Sequence, residues 1–249
     1  KKIPENIASI KAELLEEEKK VIYDKFRKVK SNFRKEWKRI PVSARKKELE
    51  EIAIAFTYNS NAIEGSTITL EEVREIVKDH ISVHKPISEV KETENHFEVF
   101  LEILNKKEVL SEKNLLKWHS EFFFETKKDI AGKYRDYLVR VGSYIAPNYK
   151  DVKKMMRQLF GFLDKSKVNP VELAARIHYR FEKIHPFGDG NGRIGRLIMN
   201  KVLWDSGYPM IIIEYKNRNS YYKALVKDEE GFVRYFTRRY LAVHKNRLG

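Results

Sequence analysis

The chain has 249 residues, 42% of them hydrophobic, with 50 Lys+Arg against 36 Asp+Glu and a net charge of +14, enough apolar material for one large domain or two small ones. The absence of cysteine excludes disulfides, cysteine-ligated zinc and thiol nucleophiles, and no apolar run approaches the roughly 20 residues of a membrane helix. The positive balance raises nucleic acid as a partner, but the basic residues are spread along the chain and mostly alternate with acids, as in LLEEEKK and EVREIVK, the pattern of solvated helix faces. No secretory leader is visible and the expected compartment is a reducing cytoplasm. The opening Lys1-Lys2 in place of Met is what a natural N-terminus lying further upstream would leave.

In chain order, nearly everything reads as helix. Ile7, Ile10, Leu14, Val21, Ile22, Phe26, Val29, Phe33 and Trp37 recur mostly three and four residues apart, predicting one apolar stripe on a helix that ends before Pro41. A second helix is expected over about 43–63, with Gly65 just past its end. Thr69 and Glu72 have the spacing of a capping box and start a helix at Leu70; Ser88 and Ser111 read as N-caps of the next two. In LVRVGSYIA, residues 138–141 and 144–146 flank Gly142-Ser143 as a hairpin. Asn169-Pro170, with Glu172 at the third helical position, opens a further helix. The expected fold is mostly α with one small β-hairpin, residues 1–50 forming an N-terminal helical arm on a domain of residues 51–249.

Residues 185–197, HPFGDGNGRIGRL, carry the chemistry. Gly190, Gly192 and Gly195 spell G-x-G-x-x-G, and Glu214 follows nineteen residues after Gly195, which mimics a dinucleotide-binding fingerprint. The context rejects that reading, because a buried strand must precede the first glycine. Here RIHYRFEKIHPF carries Arg176, Arg180, Glu182 and Lys183, with Ile177, Phe181 and Ile184 at helical spacing and Pro186 where the strand would lie. No Lys-Ser/Thr follows to make a Walker A loop. Ile194, Leu197, Ile198, Val202 and Leu203 form a helical stripe instead, so a helix begins near Gly192. Gly190, Asn191 and Gly192 then present free N–H groups at the positive end of its dipole, which makes an anion site. Arg193 and Arg196 lie one turn apart and can reach one polyphosphate. Asp189 fits if a hard divalent cation, Mg²⁺ above all, bridges it to phosphate oxygens, and His185 can accept a proton near neutral pH. Singly, each is an ordinary turn former or surface charge; gathered so closely, they suit phosphoryl or nucleotidyl transfer.

This stretch resembles the Fic family, whose signature H-x-F-x-[DE]-G-N-G-R-x-x-R is matched at every specified position by His185, Phe187, Asp189, Gly190, Asn191, Gly192, Arg193 and Arg196. The resemblance implies a Fic-type helical domain that transfers AMP from ATP, with Mg²⁺, to a Ser, Thr or Tyr hydroxyl of a target protein. It makes His185 the base on the acceptor and Asp189 the holder of Mg²⁺. Asn191 and the amides of Gly190 and Gly192 would cradle the α- and β-phosphates, Arg193 and Arg196 would hold the outer ones, and Phe187 would anchor the loop. GKYRDYLVRVGSYIAPNY looks like the family's flap, with Gly132, Tyr134, Arg135, Val139 and Pro147 at familiar places; its edge at Leu138, Val139, Arg140 and Val141 would hold the target by strand addition. RNSYYKAL looks like the segment lining the adenine pocket and points to Tyr221 and Tyr222, while Glu229 stands where some relatives carry an adenine-contacting Asn.

SNAIEG, residues 60–65, resembles the family's inhibitory motif [ST]-x-x-x-E-[GN] at Ser60, Glu64 and Gly65. Ser60 and Glu64 fall one turn apart on one helix face, and Gly65 ends the helix. A carboxylate at that end is mildly unfavourable against the helix dipole and needs a partner, which the resemblance makes Arg196. A two-pronged pair would take Arg196 from the γ-phosphate and leave ATP in a non-productive pose. The same sequence admits three other uses: removal of AMP from a modified protein, with Glu64 orienting a water and His185 protonating the leaving hydroxyl; a different donor nucleotide, since a phosphate site is blind to the base; and a basic nucleic-acid-binding module, against which an intact base-and-cation set argues. A membrane is not an expected partner, and a homodimer and flanking domains are left open.

Overall fold

In the computed structural model, which describes residues 2–81, 83–106 and 108–249 with the side chains of residues 2–13 excepted, the chain forms ten α-helices and a short hairpin. The first helix, α1 (Lys2–Arg39), has 38 residues, about 57 Å at 1.5 Å each. Among the described side chains its apolar stripe is covered from Ile22 onward: Phe26 and Val29 are enclosed, Phe26 meets Tyr240 edge-on at 5.8 Å, and Trp37 meets Trp204 at 5.5 Å. Leu14 and Val21 depart from the expected stripe and are exposed; they point away from the covered face, which Ile22, Phe26, Val29, Phe33 and Trp37 keep at three- and four-residue steps. The side chains of Ile7 and Ile10 lie outside the described residues.

Pro41 turns the chain into α2 (Val42–Ile63), which continues unbroken through residues 50 and 51 and is closed by Glu64, with Gly65 following at φ 96°. Thr69 and Glu72 form the expected capping box on α3 (Leu70–Arg74), which widens into a π-helical turn over Glu75–Asp79. The next helix, α4 (Ile87–Asn105), is capped by Pro86 rather than Ser88, which lies inside the first turn; proline's fixed φ leads straight into the helix and it has no N–H to satisfy. Ser111 caps α5 (Glu112–Phe123) as expected, accepting from the Asn114 N–H at 3.3 Å. The hairpin is shorter than its sequence pattern. β1 (Arg140–Val141) pairs with β2 (Tyr144–Ile145), Arg140 opposite Ile145 and Val141 opposite Tyr144. One further bond runs from the Ala146 N–H to the Val139 carbonyl at 3.1 Å, so Leu138 precedes the ladder.

Five helices complete the body: α6 (Tyr149–Lys165), α7 (Pro170–Ile184), α8 (Asn191–Asp205), α9 (Arg218–Val226) and α10 (Glu229–Val243). Asn169 caps α7 with Pro170 at its first position. The centre of the molecule is the α7–α8 pair, with Ile177, Phe181 and Ile184 on one helix and Ile194, Leu197 and Leu203 on the other all buried. A Cβ on Gly195 would sit 2.7 Å from Glu182 Oε1 and 3.0 Å from His178 Nδ1. The last glycine of the apparent dinucleotide fingerprint therefore serves the close crossing of two helices. Among the described residues no helix is long and apolar enough to cross a membrane.

Candidate active site

His185 caps the C-terminus of α7 at φ 50°, a region sparsely populated by residues with a side chain and kept only where the surroundings enforce it. The enforcement comes from the flap and the loop. Arg135, buried, donates through Nε to the His185 carbonyl at 2.8 Å, through Nη1 to the Tyr137 carbonyl at 2.8 Å and through Nη2 to the Pro147 carbonyl at 2.7 Å. Its N–H donates to the Pro186 carbonyl at 2.9 Å. One guanidinium thus ties both ends of the flap to the end of α7. Phe187 is fully buried and stacks on His119 at 3.8 Å. The Asn191 side chain brackets Phe187, accepting its N–H at 2.9 Å and donating to its carbonyl at 3.0 Å. His119 Nδ1 accepts from the Gly132 N–H at 3.0 Å, which leaves Nε2 as the donor to the Asp189 carbonyl at 3.1 Å.

Burial lowers the His185 pKa below its ordinary 6.5; the Glu182 backbone and the Glu64 and Asp189 charges oppose this, and Arg135 adds to it. The ring is neutral at pH 7. Helix α8 begins at Asn191 with Gly190 as its cap. A Cβ on Gly192 would run into the Glu64 carboxylate, so that carboxylate lies against the first turn of α8, where free N–H groups and the dipole favour an anion. Arg196, 2% exposed, donates through Nη2 to Glu64 Oε1 at 2.8 Å and to the Ser60 carbonyl at 2.9 Å, and through Nε to Ser60 Oγ at 3.0 Å. The pair uses one oxygen and one nitrogen rather than a two-pronged fork, because Ser60 takes the rest of that face.

Arg193 is held elsewhere, by Glu92 of α4 at 2.6 Å, with its guanidinium 4.8 Å and 4.9 Å from the Phe122 and Phe123 rings. Asp189 Oδ1 accepts from the Gly190 N–H at 2.5 Å, and Oδ2 lies 2.7 Å from Lys127 Nζ. Burial works against its ionisation, yet Lys127 and Arg193 hold the carboxyl below the ordinary 3.8. Lys127 also meets Glu92 Oε1 at 2.7 Å. The sequence carries no signal for Lys127 or Glu92: one is a lysine in a turn, the other a glutamate on an amphipathic helix.

Residues 109–203 match the Fic/DOC family model. A Nematostella vectensis protein named "Protein adenylyltransferase Fic" is 34% identical over 203 residues, 78% of this chain and 47% of that protein. The chain carries a Fic domain. A Culex quinquefasciatus protein of the same name is 32% identical over 206 residues, 78% of this chain and 40% of that one; the chain spans less than half the length of these two relatives. The likeness to the solved structure of Fic-1 from C. elegans extends well past the matched segment, with a TM-score of 0.78 at 26% identity over 98% of this chain and 77% of that one.

Beside Arg196 in this Fic domain, Tyr221 is buried with its ring 5.9 Å from the Arg196 guanidinium and its hydroxyl 2.8 Å from His178 Nε2. Tyr222 is exposed and donates to the Ile63 carbonyl at 2.9 Å, joining α9 to the end of α2. Glu229 is committed to Arg176 at 2.8 Å and Arg180 at 2.9 Å. In the flap Leu138, Arg140 and Val141 are exposed and Val139 half-buried, and among the described residues no third strand joins the hairpin.

Proposed function

We propose that this Fic domain transfers AMP from ATP to a hydroxyl of a target protein and that Glu64 restrains it. The observation that carries the reading is the seat of Glu64, whose carboxylate lies against the N-terminal turn of α8 on Arg196, beside the loop that begins at the neutral His185. Phosphates bound at that turn need the same N–H groups and the same guanidinium.

In the transfer the acceptor oxygen attacks the α-phosphorus while its proton passes to the His185 ring; the bond to the bridging oxygen breaks and pyrophosphate leaves. The amides at the head of α8, with Arg193 and a released Arg196, hold the phosphate charge. Asp189 fits a hard divalent cation: it is ionised, 45% exposed at its side chain and adjoins the anion site. A lone carboxylate suits Mg²⁺, which keeps several waters and takes its other oxygens from phosphates. Such a cation supplies neutralisation of the phosphate charge. Residues 1–50 serve as a helical arm, residues 51–249 as the catalytic domain, and the exposed hairpin edge receives the target. The reverse use, removal of AMP, is favoured by one detail: Glu64 Oε1 is taken by Arg196, whereas Oε2 has no hydrogen-bond partner among the described residues and is free to orient a water.

Incubation of the Glu64→Gly protein with Mg²⁺ and ATP labelled at the α-phosphate, followed by mass spectrometry, is expected to show AMP on a Ser, Thr or Tyr side chain. No α-label on any protein, this chain included, overturns the reading. The pH profile supplies a second check. His185 must be neutral to take the proton, so transfer persists above its pKa and is lost as pH falls through it. Because that pKa is lowered, the acid limb of kcat/KM is expected below pH 6.5; a limb at or above 6.5 assigns the proton to another group.

A further inference from the structure

The charges around Asp189 form a closed set. Lys127 Nζ bridges Asp189 Oδ2 and Glu92 Oε1, at 2.7 Å each. Arg193 Nη1 bonds Glu92 Oε2 at 2.6 Å, and its Nη2 lies 3.6 Å from Asp189 Oδ1. Two cations balance two carboxylates, and the Lys127 ammonium lies over the Phe123 ring at 5.1 Å. An ammonium on Asp189 Oδ2 and a divalent cation on the same oxygen exclude each other. With Mg²⁺–oxygen distances near 2.1 Å, the two would stand no more than about 4.8 Å apart, at which a double and a single positive charge repel strongly in a partly buried site.

The geometry points to Lys127 as a displaceable counter-ion, a positioning residue that must release Asp189 before the site takes a divalent cation and that thereby sets the concentration at which it loads. The inference rests on the reading of Asp189 as the cation's carboxylate. The release is easy to accommodate: the Lys127 side chain is 36% exposed, and its second partner, Glu92, remains to receive it while also holding Arg193.

The test is direct binding of Mn²⁺, read by the electron paramagnetic resonance of the free ion, in the presence of a saturating ATP analogue that cannot be cleaved at the α-phosphate. Lys127→Met keeps the stem on the Phe123 ring and removes the charge; it is expected to lower the Mn²⁺ half-saturation concentration by about fivefold or more, a shift of roughly 1 kcal/mol. Lys127→Arg, which restores a cation, is expected to stay close to wild type, and Lys127→Gln serves as a second neutral variant should the methionine disturb folding. A midpoint unchanged in both neutral variants overturns the inference. So does a raised midpoint, which would make Lys127 a phosphate ligand instead. Asp189→Asn separates the two levels of the argument: it should raise the midpoint and abolish the difference between Lys127 and Met at residue 127. If it leaves the wild-type midpoint unmoved, Asp189 is not the cation's carboxylate, and both readings fall.

Discussion

Replacing His185 by alanine is expected to lower AMP transfer by about 10²–10⁴-fold, the usual loss when a general base is removed, while ATP affinity stays within a few-fold. The separation follows from where the interactions lie. The groups proposed to bind phosphate are the N–H groups at the head of α8 and two guanidinium groups, none of which hydrogen-bonds to the His185 side chain. The residue also stands at φ 50°, where alanine is less comfortable than the original, so His185→Asn is the better-behaved companion: asparagine tolerates the left-handed region and cannot serve as the base. Both variants should lose transfer alike and keep binding, measured by nucleotide titration alongside a single-turnover rate. Equal rates in wild type and either variant would remove His185 from the chemistry.

The second large effect has the opposite sign. Glu64→Gly is expected to raise transfer, to the chain itself or to a target, by about one decade. A hydrogen bond between charged partners contributes roughly 1.5–3 kcal/mol, and with the Glu64 side chain 35% exposed the lower part of that range applies because solvent screens the pair. Glu64→Gln, which keeps the shape and removes the charge, should follow in the same direction. Adding Arg196→Ala to Glu64→Gly should cancel the gain, since the gain depends on the released guanidinium. Measuring hydrolysis of an AMP-modified protein by the same variants separates restraint from reverse catalysis: if Glu64 orients the water, hydrolysis stops where transfer rises. No change in either rate would leave Ser60, Glu64 and Gly65 as the end of a helix and nothing more.

How much of this was legible in the sequence follows from the range of the interactions. The helix starts at Leu70, Glu112 and Pro170 are set by side chains within three residues of them, so spacing alone finds them. The segment from His185 to Arg196 is likewise local: one loop and one helical turn carry His185, Asp189, the head of α8 and both arginines, and a contiguous pattern preserves all of it. Even the rejection of the dinucleotide fold was local, resting on Pro186 and the helical spacing of Ile177, Phe181 and Ile184.

What the sequence could not place are contacts whose partners are far apart in the chain. Glu64 and Arg196 are 132 residues apart, and they meet because α2 ends against the first turn of α8, which Gly192 leaves open. A short motif could suggest the pairing; the fold decided that Ser60 takes part of the guanidinium and that one carboxylate oxygen stays free. Lys127, Glu92 and Asp189 come from a turn, a helix and a loop, and only the packing of α4 and α5 beside α8 gathers their charges. The same holds for Arg135, a buried guanidinium whose four carbonyl acceptors lie in the flap and at the end of α7, and for Leu14 and Val21, whose spacing promised burial on a face of α1 that the fold leaves exposed. Periodicity and capping act within a turn or two of chain, whereas the pairing of charges across helices is settled by which faces pack together, and that is a property of the whole fold.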